Sequence, residues 1–126
     1  MTDSRKILLV DDDELFTFTA GYTLNRLYPG IEIITCRHGE EALERLNDLT
    51  PEVMFLDLEM PLMDGWELLD VLIGRYGDLS FPVVIVTASE DPVVAVRASE
   101  HPLKPAFIVK SITPEKKKSL GLNLNA

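Results

Sequence analysis

Four places in this sequence carry side chains suited to handling a phosphoryl group, and each follows a short apolar run. Asp11-Asp12 follows Ile7-Leu8-Leu9-Val10, and Asp57 follows Val53-Met54-Phe55-Leu56. Thr87 follows Val83-Val84-Ile85-Val86, and Lys110 follows Ala106-Phe107-Ile108-Val109. Apolar runs of that length, bounded by turn residues, read as strands buried on both faces. If the strands are parallel, the residues that end them gather on one edge of the sheet, where open α/β folds bind ligands. Three carboxylates on that edge would repel one another. A hard divalent cation with oxygen ligands offsets the repulsion, and magnesium is the usual choice beside a phosphoryl group. Thr87 adds a hydroxyl, Lys110 a mobile positive charge, and Asp57 a carboxylate able to act as nucleophile. An aspartate can also do no more than cap a strand, so the surrounding elements decide its meaning.

Those elements alternate along the chain. Lys6 to Val10 is the first strand, and a helix follows from about Glu14 to Leu27, with Leu15, Phe18, Tyr22 and Leu27 expected on its buried face. Pro29-Gly30 stops it. Ile31 to Cys36 is the second strand, and Gly39 to Leu49 the second helix, with Ala42, Leu43 and Leu46 turned inward. Thr50-Pro51 leads into the third strand, and Pro61 with Asp64-Gly65 makes the loop after it. A third helix covers about Gly65 to Arg75, carrying Trp66, Leu68, Leu69, Leu72 and Ile73, before Gly77-Asp78 breaks it. The fourth strand opens at Pro82. Asp91-Pro92 starts a short, weakly apolar fourth helix, with Asp91 as cap and Pro92 in the first turn, and it ends before His101-Pro102. Ala106 to Val109 is the fifth strand, and Thr113-Pro114-Glu115 starts a fifth helix with little apolar surface. Strands alternating with helices predict an α/β fold with a doubly wound, five-stranded parallel sheet.

Composition narrows the partners. The chain has 126 residues, the size of one domain, and no linker or repeat divides it. With 21 acidic and 12 basic residues the formal charge is −9, which disfavours direct nucleic-acid binding and attraction to anionic lipid. No apolar stretch reaches transmembrane length or forms a signal peptide, so the expectation is a cytoplasmic protein without membrane insertion. Cys36 is the sole cysteine and reads as an inert core thiol. His38 and His101 are isolated and read as surface residues, and no cysteine–histidine cluster suggests zinc. Asp13 reads as a helix-start acid, Asp64 as a turn residue, Trp66 as helix-face packing, and Lys116 to Lys118 as a solvated face.

Taken in order, Ile7-Leu8-Leu9-Val10-Asp11-Asp12-Asp13, Leu56-Asp57-Leu58-Glu59-Met60-Pro61-Leu62-Met63-Asp64-Gly65, Val84-Ile85-Val86-Thr87-Ala88 and Ala106-Phe107-Ile108-Val109-Lys110 resemble the response-regulator receiver domain of two-component signalling. The resemblance covers almost the whole chain. It implies a flavodoxin-like fold with strand order 2-1-3-4-5 and a single receiver domain over residues 1–126, with no effector domain. It implies Asp57 as phosphoacceptor. Asp12 would hold Mg2+ directly, Asp11 more through a water, and the main-chain carbonyl of Glu59 would add another ligand. Thr87, helped by the amide of Ala88, would hydrogen-bond the phosphoryl group, and Lys110 would pair with one of its oxygens. Phe107 falls at the aromatic switch position. The implied partners are a histidine kinase or histidine phosphotransfer protein and a downstream protein target, with the chain a monomer or weak dimer.

Lys104-Pro105 competes with Lys110, because the family has a Lys-Pro dipeptide there. Lys110 is preferred because it ends a strand, whereas Lys104 precedes it and reads as a loop lysine. Serine after Lys110 is a departure, since the family's cis bond would cost about 2.5–4 kcal/mol before a non-proline residue. Two other functions compete: a magnesium-dependent phosphatase with an aspartate nucleophile, for which Glu59 stands at the spacing of an acid–base, and an interaction module independent of phosphorylation. The Met-Pro-Leu-Met-Asp-Gly continuation and the complete set of site residues favour the receiver.

Overall fold

The computed structural model describes residues 5–88 and 91–109. Five strands alternate with four helices among them: β1 (Lys6–Val10), α1 (Glu14–Leu27), β2 (Glu32–Cys36), α2 (Gly39–Leu46), β3 (Val53–Asp57), α3 (Gly65–Tyr76), β4 (Val83–Thr87), α4 (Pro92–Glu100) and β5 (Ala106–Val109). The expected fifth helix and the Lys110–Ser111 bond lie outside the described residues. All strand pairs are parallel and the order is β2-β1-β3-β4-β5, so the expected doubly wound topology holds. No described helix is long and apolar enough to cross a membrane.

Strand periodicity splits the core into two layers, because successive side chains point to opposite faces. Leu8, Val10, Met54, Leu56 and Ile85 face α2 and α3, packing with Leu43, Leu68, Leu69 and Leu72. Ile7, Leu9, Val53, Phe55, Val84 and Val86 face α1, packing with Ala20 and Leu24. β3 and β4 are buried at every residue, which is why both read as unbroken apolar runs. Cys36 sits in the first layer, where burial, reinforced by Glu41 and opposed by Arg45, pushes its thiol up to about 12. It stays protonated and inert, as expected.

The helices begin where their caps place them. Asp13 caps α1 by accepting from the Phe16 amide. Asp64 and Glu67 form a reciprocal capping box at α3, and Asp91 caps α4 ahead of Pro92. α2 ends at Leu46, short of the expected Leu49. Its cap is His38, whose Nδ1 accepts from the Glu41 amide, a role not visible in its isolation along the sequence.

The expected buried face of α1 is corrected. Leu15, Phe18 and Tyr22 are exposed, Phe18 by 74 %. The packed stripe is instead Phe16, Ala20, Gly21, Leu24 and Leu27. Both stripes have helical spacing. The small pair Ala20-Gly21 lies on the packed side, where a Cβ on Gly21 would make ordinary contact with Ile33 Cγ2 at 3.6 Å. The bulkier stripe is left facing water.

Candidate functional site

The carboxyl ends of β1, β3 and β4 meet at one edge of the sheet. Asp11 is the first residue past β1. Its amide donates to the Cys36 carbonyl at 2.9 Å, which extends the β1–β2 ladder by one step. Its side chain turns back to accept from the Asp13 amide at 2.8 Å, so the same turn that starts α1 orients this carboxylate. Asp12 is exposed beside it. Asp57 is the last residue of β3, in register with Val86, and only 4 % exposed. The Asp11, Asp12 and Asp57 side chains each offer a carboxylate oxygen, and these atoms lie within 4.8 Å of one another. Thr87, equally buried, ends the neighbouring β4 and stands in register with Val109.

The donor set suits a small hard cation. Three carboxylate oxygens converging on one point, with no sulfur or imidazole among them, match magnesium rather than zinc or copper. Glu59 lies in the following loop and is exposed.

That loop is tightly fixed. The Gly65 amide donates to the Leu58 carbonyl at 3.0 Å, closing the segment from the end of β3 to the start of α3. A Cβ on Gly65 would sit 2.6 Å from the Asp57 carbonyl oxygen and 3.0 Å from Leu58 Cα. Glycine is therefore required by a backbone approach, and Asp-Gly as a turn signal only hinted at it. Within the loop, Met63 donates to the Pro61 carbonyl at 2.8 Å, around Leu62 at φ 71°. This is a γ-turn centred on a left-handed leucine, a strained arrangement of the kind found at functional sites.

Phe107 is in register with Ile85 and 40 % exposed, so its ring faces outward. Lys104 is exposed in the loop before β5, toward the opposite edge from Asp57, as expected of a loop lysine. Lys110 lies outside the described residues, and the residue before it, Val109, reaches the Thr87 level.

A five-stranded flavodoxin-like sheet with an acidic triad at its carboxyl edge defines an α/β domain whose ligand crevice lies at that edge. The chain belongs more narrowly to the response regulator receiver domain family, whose model matches residues 7–119. It is 36 % identical over 88 residues to the alkaline phosphatase synthesis transcriptional regulatory protein PhoP of Bacillus subtilis, covering 70 % of this chain and 35 % of that protein. The chain thus spans about a third of that relative's length. Among solved structures it resembles the bacteriophytochrome response regulator AtBRR, with TM-score 0.78, 30 % identity and coverage of 97 % and 96 % of the two chains. It also resembles the response regulator TrrA of Thermotoga maritima in complex with Mg2+-BeF, with TM-score 0.74, 25 % identity and coverage of 93 % and 96 %.

Proposed function

We propose that the chain accepts a phosphoryl group on Asp57 from a phosphohistidine partner, a histidine kinase or histidine phosphotransfer protein, and so changes its affinity for a downstream protein. The observation that carries this is the convergence of Asp11, Asp12 and Asp57 within 4.8 Å at the strand edge. A carboxylate oxygen of Asp57 attacks phosphorus in line as the histidine nitrogen leaves. Asp12 would hold Mg2+ directly, Asp11 would act through a water, and the Glu59 carbonyl would complete the protein's share. The bound ion would neutralise charge on the phosphoryl oxygens, the main electrostatic demand of this transfer. Thr87 donates to a phosphoryl oxygen and Lys110 pairs with another. Phe107 turns inward as Thr87 is drawn over, a shift in population between two arrangements. The likeness to a receiver solved with Mg2+-BeF supports the reading.

Incubation with acetyl phosphate and magnesium tests it. Stoichiometric acid-labile mass addition on Asp57 is expected; steady release of phosphate from esters without labelling would mean a phosphatase instead.

Asp12→Ala is expected to weaken magnesium binding at least tenfold and to raise the stability of the metal-free protein slightly by relieving crowding among the acids. Calorimetric titration and urea unfolding read the two effects, and unchanged magnesium affinity would remove Asp12 from the ligand set.

The exposed stripe Leu15, Phe18 and Tyr22 runs along α1 from just beyond the acidic turn, an apolar surface open to a phosphohistidine partner. Phe18→Ser should change stability by no more than about 0.5 kcal/mol, as at other exposed positions. It should slow transfer from a phosphohistidine donor while leaving labelling by acetyl phosphate unchanged. Equal slowing with both donors would argue against docking there.

A further inference from the structure

α4 is the least anchored of the described helices. Ala98 is its one buried residue, and Val94 is partly buried against the core. Val93 and Val96 face solvent. By contrast α3 buries Trp66, Leu68, Leu69 and Leu72. Among the described residues, a cluster around Trp66 also ties α4 to α3. The Arg97 guanidinium lies 4.6 Å from the centre of the Trp66 ring, a cation–π contact. The His101 ring, at the end of α4, is 5.9 Å from the same indole and tilted 35° to it.

His101 was expected at the surface, yet its side chain is only 10 % exposed. Its Nδ1 accepts from the Leu103 amide at 3.2 Å, which places the proton of the neutral ring on Nε2. Nε2 stands 3.4 Å from Asp70 Oδ1, one helical turn along α3 from Trp66. The imidazole thereby joins α3 to the segment between α4 and β5. At its other end Trp66 directly follows Gly65, whose amide is bonded to the Leu58 carbonyl and where any Cβ would collide with the Asp57 carbonyl.

We propose that Trp66, held by Arg97 and His101, is the restraint that sets how readily α4 lifts from the fold, and that changes in the Asp57 loop reach α4 through it. Arg97 and His101 are positioning residues acting through Trp66. The second half rests on the phosphoacceptor reading; the first does not.

Amide hydrogen exchange on the full chain, without phosphodonor, tests the restraint. Arg97→Ala and His101→Leu should each speed exchange across α4 by roughly three- to tenfold, the scale of one partly exposed cation–π or hydrogen-bonded contact. β3 amides should not change, and Arg97→Lys should exchange as the parent does. In a Trp66→Leu background Arg97→Ala should add nothing further. Parental α4 exchange in both single variants, faster exchange in β3 as well, or an additive effect in the Trp66→Leu background would each overturn the clamp. A second arm uses acetyl phosphate and magnesium, counting only protein labelled on Asp57 by mass. The change in α4 exchange on labelling should differ between parent and Arg97→Ala, and an equal change would overturn the coupling. Failure of the parent to label would count against Asp57 as phosphoacceptor, while the donor-free arm would still decide the clamp.

Discussion

Asp57→Asn is expected to abolish acid-labile labelling by acetyl phosphate while leaving the fold intact. The amide is nearly isosteric, so the packing at the end of β3 is kept, but its oxygen is a poor nucleophile and carries no charge. Because Asp57 is buried within reach of two other carboxylates, removing its charge relieves repulsion among them. Thermal unfolding should therefore occur at or above the parental temperature. Mass spectrometry after phosphodonor treatment reads the labelling. Persistent label in the variant would place the nucleophile elsewhere, with Asp11 and Asp12 as the candidates.

Gly65→Ala should be the most damaging single-methyl substitution near the site. The new Cβ would meet the Asp57 carbonyl at 2.6 Å and Leu58 Cα at 3.0 Å, and both are backbone atoms that cannot rotate away. Overpacking of this kind costs about 1–3 kcal/mol. Relief would come by moving the β3–α3 loop, so magnesium affinity should fall together with stability. Gly74→Ala is the matched control, since a Cβ there meets nothing within 4 Å and α3 continues on both sides. It should be neutral or stabilise by up to about 1 kcal/mol, the helix propensity of alanine over glycine. Urea unfolding and magnesium titration of both variants check the contrast. Equal behaviour of the two would show that the loop yields easily.

Most of the strand framework was legible because β3 and β4, buried throughout, leave no ambiguity about period or face. The starts of α1 and α4 were legible for a local reason: Asp13 and Asp91 each bond an amide two or three residues onward, so cap and sequence coincide, whereas Asp64, read as a turn residue, proves to cap α3. The acidic triad followed from topology, since parallel strands put their last residues together. The face of α1 was not legible. Leu15, Phe18 and Tyr22 repeat as regularly as the packed stripe, and only the fold shows that Ala20 and Gly21 lie on the buried side. His101 was misread for a similar reason. Its partners Asp70 and Trp66 lie more than thirty residues away, and no local pattern announces them.

The strand order has a consequence for the chain before it is complete. β3 pairs on one side with β1, which precedes it, and on the other with β4, which has yet to be made. Until β4 emerges from synthesis, β3 is an edge, and Val53-Met54-Phe55-Leu56 presents a flat, uncharged row of open amides and carbonyls. That is the kind of strand most prone to pair with another chain. Asp57 at one end and Glu52 at the other are the nearest charges, so Asp57 also stands as a gatekeeper beside this apolar segment during synthesis.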